Sequence, residues 1–378
     1  MNPYCAIRAS LVRIIFLLIV LLPPATAFGD CSTIGAIRWD AWFGDKGDAG
    51  MAVMKTLGPE KWHGRLPFCA KVIAPDAVQI ECDSLAVMDQ EIAYAKKAGI
   101  DYWAFVADEQ NSPMSLSLNN YLSSSNKSNV KFAIITQLFR FWYPKGYSKN
   151  IDRFVSLMRE PSYQKVAGGR PLFFIMTLDD EWIQRQWGSD SALKAAINDF
   201  RRRAENSGSN NPYIVVMDFN PKRAKQLADR FGFDAISSYL ARGNARAGTY
   251  ESLAANVEKY WTISSETGAQ VVPIVMSGWD RRPRVENPVP WEVAGHQNDN
   301  NALLRYYEKP TMHALGKHLE NALTWVNAKS AYSQANTVLI YAWNEFDEGG
   351  WLAPTLSEGT ARIDEINKVT RRDCPSKY

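Results

Sequence analysis

Near its C-terminus the chain reads TVLIYAWNEFDEGGWLAPTL, Thr337 to Leu356, and this stretch holds two glutamates three residues apart, Glu345 and Glu348. The apolar run Val338 to Tyr341 has the form of a buried strand and leads directly into Trp343 and Asn344, then the acids, then a Gly349-Gly350 turn. Glycoside cleavage needs two carboxyl groups about the anomeric carbon. One protonates the departing oxygen while the other handles the developing oxocarbenium charge. On a regular strand Glu345 and Glu348 would face opposite sides, but beyond the strand end the chain turns and both can point into one mouth. The same residues also fit a strand followed by a charged surface turn, so the elements around them decide between the two.

Strand-length apolar runs alternate with segments of helical period. Strands are predicted at Ile34 to Trp39, Tyr102 to Val106, Lys131 to Leu138, Pro171 to Thr177, Tyr213 to Asp218, Asp234 to Tyr239, Val271 to Met276 and Val338 to Trp343. Between them, Leu85, Met88, Ile92 and Ala95 keep to one helical face opened by Asp83-Ser84 and stopped by Gly99; Asn220-Pro221 and Gly232 bracket another helix. Further helices are expected at Ile151 to Met158, Ala192 to Ala204, Thr249 to Ser265, Met312 to Val326 and Ala361 to Val369. Leu116 to Leu122 supports a short helix at best. Eight alternations predict an α/β fold, a (β/α)8 TIM barrel with long loops after strands 1 and 7, rather than an open sheet, for which neither a GxGxxG nor a Walker sequence is present.

A parallel barrel gathers the residues after its strands on one rim. Those ends supply candidate substrate-binding residues Trp39, Asp40 and Trp42 after the first strand, Gln137 and Arg140 after the third, and Asp218 and Tyr239 after the fifth and sixth. Trp279 and Asp280 follow the seventh, and Trp343 and Asn344 precede the glutamates. Indoles for ring faces, with amides and carboxylates for hydroxyls, suit a neutral polyhydroxylated ligand. Trp142, and His296, Gln297 and Asn298 in the long loop Ser277 to Pro310, belong to the same rim. Asp179-Asp180-Glu181 fits the first turn of a helix at least as well as a site, and His313 and His318, five apart, read as surface residues.

Lys+Arg 43 against Asp+Glu 40 gives a formal charge of +3, which leaves no electrostatic footprint for nucleic acid. Arg8 and Arg13 precede the apolar run Ile14 to Leu22 and the triplet Ala25-Thr26-Ala27, the pattern of a signal peptide, 1–27, with cleavage after Ala27. Residues 28–378 then form one exported catalytic domain, secreted or periplasmic, with no stable membrane span. It retains Cys31, Cys69, Cys82 and Cys374; of their three possible pairings Cys31 with Cys374 and Cys69 with Cys82 is favoured, the first tying the domain ends together and the second closing a loop. Neither CxxC nor clustered histidines suggest a metal.

WNEFDEGGWLAPT, Trp343 to Thr355, resembles the WNEW-x-EG-x-x-x-EP signature of glycoside hydrolase family 99 and related barrel proteins of polysaccharide loci, a glycoside hydrolase family 71/99-like group. EIAYAKKAGIDYWAF (Glu91 to Phe105), FVSLMREPSYQKVAGGRPLFFI (Phe154 to Ile175) and VVPIVMSGWDRRPR (Val271 to Arg284) are similar to that family as well. The resemblance implies an endo-α-mannanase-like hydrolase acting on a polysaccharide or oligosaccharide without metal or cofactor. Glu348 would be the general acid/base, and Glu345 would deprotonate the sugar's own 2-hydroxyl, which attacks from within the substrate. Asp347 stands where these motifs usually have His or Gly, Phe346 where they have Trp, and Ala353 where relatives often have Glu. A glycosyl-transferring enzyme of surface-polysaccharide metabolism and a non-catalytic carbohydrate-binding barrel are the alternatives.

Overall fold

The computed structural model describes residues 31–141, 147–176, 178–244, 246–292 and 301–375. The chain divides into Met1–Cys31 and Ser32–Tyr378, and the fold is that of the second unit. The expected signal peptide, Trp142, and the trio His296, Gln297 and Asn298 lie outside the described residues.

Eight parallel strands form the barrel: β1 (Thr33–Arg38), β2 (Tyr102–Val106), β3 (Lys131–Gln137), β4 (Arg170–Met176), β5 (Tyr213–Met217), β6 (Ala235–Ser237), β7 (Ile274–Met276) and β8 (Thr337–Tyr341). They pair in the order β7-β8-β1-β2-β3-β4-β5-β6. A parallel bridge from Ile236 to Val271 joins the two ends of that order, with Ile236 N donating to Gln270 O at 2.8 Å and Val272 N to Ile236 O at 3.0 Å. Every residue of β5 and β8 is buried, as expected of strands covered on both faces. β7 starts three residues later than its apolar run predicts because Pro273 has no N–H for the ladder; its carbonyl still accepts from Leu339 N at 3.0 Å.

The helices follow their signals. In Leu85–Ala98, Ser84 accepts from Val87 N and Gly99 ends the helix at φ 82°; Met88, Ile92 and Ala95 are buried, whereas Leu85, on the opening turn, is exposed. Asn220 caps Pro221–Phe231. The residues read as a short helix at best form Leu116–Ser123. His318 departs from expectation: it is buried, stacked on Trp261 with ring centroids 5.5 Å apart, while His313 is exposed. Among the described residues no helix is long and apolar enough to cross a membrane.

The long connection after β1 is structured. It contains the helix Asp48–Leu57 and a hairpin of Ala70–Ala74 against Ala77–Ile80, which the Cys69–Cys82 disulfide staples at its base. Cys31 and Cys374 are disulfide-bonded as well. The Cys69–Cys82 bridge spans 13 residues, and a loop near that size restricts the unfolded chain by about 3 kcal/mol. A Cys69→Ala/Cys82→Ala variant should lose roughly that much unfolding free energy, read from its denaturant midpoint at unchanged m-value.

Candidate active site

β8 leaves the barrel through a cis peptide between Tyr341 and Ala342 and becomes a tight structure. Asn344–Glu345 pairs antiparallel with Gly350–Trp351, and Phe346–Glu348 forms a 3-10 turn between them. Glu345 therefore lies on a short hairpin and Glu348 on its turn. That geometry brings two acids three residues apart to one place. The turn is locked from β7: Asp280 N donates to Glu348 O at 2.7 Å, and a Cβ at Gly278 would lie 2.1 Å from the Gly349 carbonyl.

Arg284, from the short helix Arg282–Glu286 after β7, joins the acids. Its Nε and Nη2 donate to Asp347 at 2.7 and 3.0 Å, Nη2 to Glu345 at 3.3 Å, and Nη1 to Glu348 and, at 3.0 Å, to Glu292. Burial disfavours this guanidinium, but Asp347, Glu348 and Glu345 outweigh it and hold the charge in place. Trp39 and Trp291 flank it at 5.1 and 5.9 Å. Two phenols complete the cluster: Tyr239 donates to Glu345 at 2.6 Å and Tyr341 donates to Glu348. Burial and the neighbouring acids raise both phenols well above the ordinary tyrosine value, so they remain donors.

Glu345 and Glu348 are both buried, yet they titrate in opposite directions. Burial, then the charge of Glu348, pushes Glu345 well above the ordinary glutamate value. Burial pushes Glu348 up too, but Arg284 and Arg281, with the Tyr341 hydrogen bond, bring it below that value. Arg281 Nε lies 3.5 Å from Glu348. The two carboxyls are thus pushed apart, Glu345 toward the protonated form and Glu348 toward the ionised one.

Four sequence candidates lie beneath the acids, buried, where they support the hairpin. Asn344 donates to Asp40 at 2.8 Å and accepts from Trp39 N at 3.0 Å, and Trp42 Nε1 donates to Asn344 O at 2.7 Å. Trp343 Nε1 donates at 2.9 Å to Glu91, which with Asp40 pairs with buried Arg38. Asp280 is held by Arg282, at 2.7 Å, and by Arg65; burial raises its carboxyl, and these partners bring it below the ordinary aspartate value. Trp279 is buried against Tyr341, 5.9 Å between centroids. Asp218 pairs with Arg223 on the β5 rim, Gln137 ends β3, and Arg140 lies in the next helix, Leu138–Phe141. Asp179 caps Asp180–Trp187 through Trp182 N at 3.0 Å, the helix-start reading of that acidic run. Sequence reasoning named Tyr239, though not its bond to Glu345, and missed Arg284 and Tyr341. The buried Asp347 was the available signal, because a carboxylate in apolar company needs a cation. Among the described residues no three His, Cys, Asp or Glu gather as a metal site.

The fold and site thus define a (β/α)8 barrel with an acid pair at the end of its eighth strand. Residues 133–366 match the family described as Glycosyltransferase WbsX, and the chain belongs to that family. Solved structures agree on the fold. The GH99 endo-alpha-mannosidase from Bacteroides thetaiotaomicron in complex with Bis-Tris-propane is 14% identical, with a TM-score of 0.54 over 91% of this chain and 96% of that one. A second structure of the GH99 endo-alpha-mannosidase from Bacteroides thetaiotaomicron gives 14%, 0.53, 91% and 97%. Comparison with curated proteins gives no match.

Proposed function

We propose that this protein is an exported glycoside hydrolase that cuts within a polysaccharide at Glu345 and Glu348. The observation that carries the reading is a buried carboxyl pair at the β8 end of the barrel, held by Arg284 and by the Tyr239 and Tyr341 hydroxyls and shifted in opposite directions by those surroundings. One carboxyl can give a proton to the departing oxygen and the other can receive one, so the pair suits acid-base work at a glycosidic bond. In the resting site Glu345 is the carboxyl raised above the ordinary value and Glu348 the one held below it. The division implied by the family 99 resemblance, Glu348 as acid and Glu345 as base toward the 2-hydroxyl, needs a proton transferred to Glu348 when substrate binds. Arg284 opposes the transfer by favouring ionised Glu348, so withdrawal of Arg284 toward Asp347 and Glu292 is part of the proposed cycle. Trp39 and Trp291, 5.5 Å apart, offer aromatic faces above the cluster. The leader at 1–27 and the Cys69–Cys82 disulfide support export.

The family's description favours one further reading, glycosyl transfer, in which a sugar hydroxyl replaces water at the same acids. The test incubates the protein with α-mannans and bacterial surface polysaccharides and follows reducing ends and chain length. New reducing ends are expected. Redistribution of chain lengths without new ends would replace hydrolysis by transfer, and binding without either change would leave a carbohydrate-binding barrel.

A further inference from the structure

Among the described residues the most exposed large apolar side chain is Phe219, at 69%, just beyond β5 on the rim that carries the acid pair. One exposed apolar residue needs no explanation by itself; this one is held in place. On one side of it Asp218 N donates to Ser237 O at 3.0 Å, and Asp218 O accepts from the Tyr260 hydroxyl at 2.8 Å. On the other, Asn220 N donates to Asp218 Oδ1 at 2.8 Å, and the Asn220 side chain caps the helix Pro221–Phe231. A backbone tied on both sides presents the ring to solvent with little ordering left for a ligand to impose.

Phe219 lines a cavity of about 400 Å³ at the ends of β4 and β5, a volume usual for small-ligand sites. Met176, Leu178 and Met217 join it as the apolar part of the lining. Tyr239 lines the same cavity and donates to Glu345 at 2.6 Å, so it connects this space to the acid pair. The charged groups around the cavity already have partners. Asp218 pairs with Arg223, Asp180 with Arg230 and Glu181 with Arg185, while Asp179 accepts from Trp182 N. Arg223, the cation of the described lining, is held by Asp218 and by Leu178 O, which leaves it poorly placed to take an anion. An apolar floor with a fixed aromatic ring and paired charges suits an uncharged ligand that has one apolar face. A neutral pyranose has that form, because its axial C–H groups share a face while its hydroxyls point outward.

We propose that Phe219 is the aromatic platform of a subsite for a neutral sugar unit, reached from the acid pair past Tyr239. The unit stacks its C–H face on the phenyl ring and donates hydroxyl hydrogen bonds to the rim, where Asp179 keeps acceptor capacity beyond its bond to Trp182 N. The platform does not touch the reacting bond. It holds a neighbouring unit of the chain, and so it selects for length and for the absence of charge. This rests on the reading of Glu345 and Glu348 as the cutting site.

Calorimetric binding tests it independently of cleavage. Short and long oligosaccharides of α-mannan, dextran and galactan, with oligogalacturonate as the anionic control, are titrated into the intact protein, Phe219→Ala and Phe219→Trp. Because the ring is exposed, both variants should melt as the wild type does. At least one neutral series should bind, more tightly as its chains lengthen. Phe219→Ala should weaken the long members of that series by about three- to tenfold, the size of one aromatic stacking contact, and Phe219→Trp should keep their affinity. The shortest member that binds should be indifferent to both substitutions. An equal loss at every length, no loss at any length, tighter binding of oligogalacturonate than of every neutral series, or no binding by any neutral series would overturn the subsite. If the length-dependent pattern holds but no tested polysaccharide is cut, the subsite stands and hydrolysis falls; cleavage that is indifferent to Phe219→Ala at every chain length gives the opposite result.

Discussion

Glu348→Gln should lower turnover of a cleaved polysaccharide by about 10² to 10⁴-fold, the contribution of a positioned proton-transfer group. Glu345→Gln should be of similar severity, and the pH profiles should tell the two apart. Activity that needs one proton on the pair falls at the acid end as Glu348 protonates, below the ordinary glutamate value of 4.5. It falls at the alkaline end as Glu345, raised well above that value, loses its proton. Residual activity of Glu345→Gln should lack the alkaline limb, and that of Glu348→Gln the acid limb. Cleavage that survives both substitutions would place the reaction elsewhere on the rim.

The second large effect is on stability. Asp347 is fully buried and meets Arg284 through both of its oxygens, at 2.7 and 3.0 Å; Thr56 adds a hydrogen bond at 3.2 Å. Removing one partner of such a pair leaves a charge in a medium that cannot solvate it, at about 3 to 5 kcal/mol. Asp347→Ala should therefore lower unfolding free energy by about that amount. Arg284→Met should cost less on top of Asp347→Ala than it does alone, because their shared pair is already gone, but it should not restore stability, since Glu345, Glu348 and Glu292 then lose their cation. Denaturant titration of the single and double variants decides this; additive losses would mean that the two side chains do not act as a pair.

The architecture was legible because parallel barrel strands are buried on both faces and read as unbroken apolar runs: YIVVM and TVLIY needed no other signal. The glutamates were legible because β8 runs straight into them. What could not be read was the company that residues keep across the rim. Asp280 was expected to take a sugar hydroxyl, yet Arg282, two residues on, already occupies it, a local pairing that the spacing could have suggested. Asp40, Trp42, Trp343 and Asn344 have the chemistry of a sugar site, but their hydrogen bonds run to one another and to Glu91. Residue type alone does not separate a lining side chain from a supporting one. Arg284 lies about sixty positions before the acids that it joins, a distance that periodicity does not reach.

The contact between Gly278 and the Gly349 carbonyl constrains how this barrel can diversify. Loops after barrel strands are commonly free to vary one at a time, and new substrates can then be reached by changing a single loop. Here the backbones after β7 and β8 touch too closely for a side chain at Gly278, and Asp280 N is tied to Glu348 O. The two loops form one inheritable cassette. Recombination between relatives should preserve activity when both segments come from one parent and lose it when the crossover falls between them.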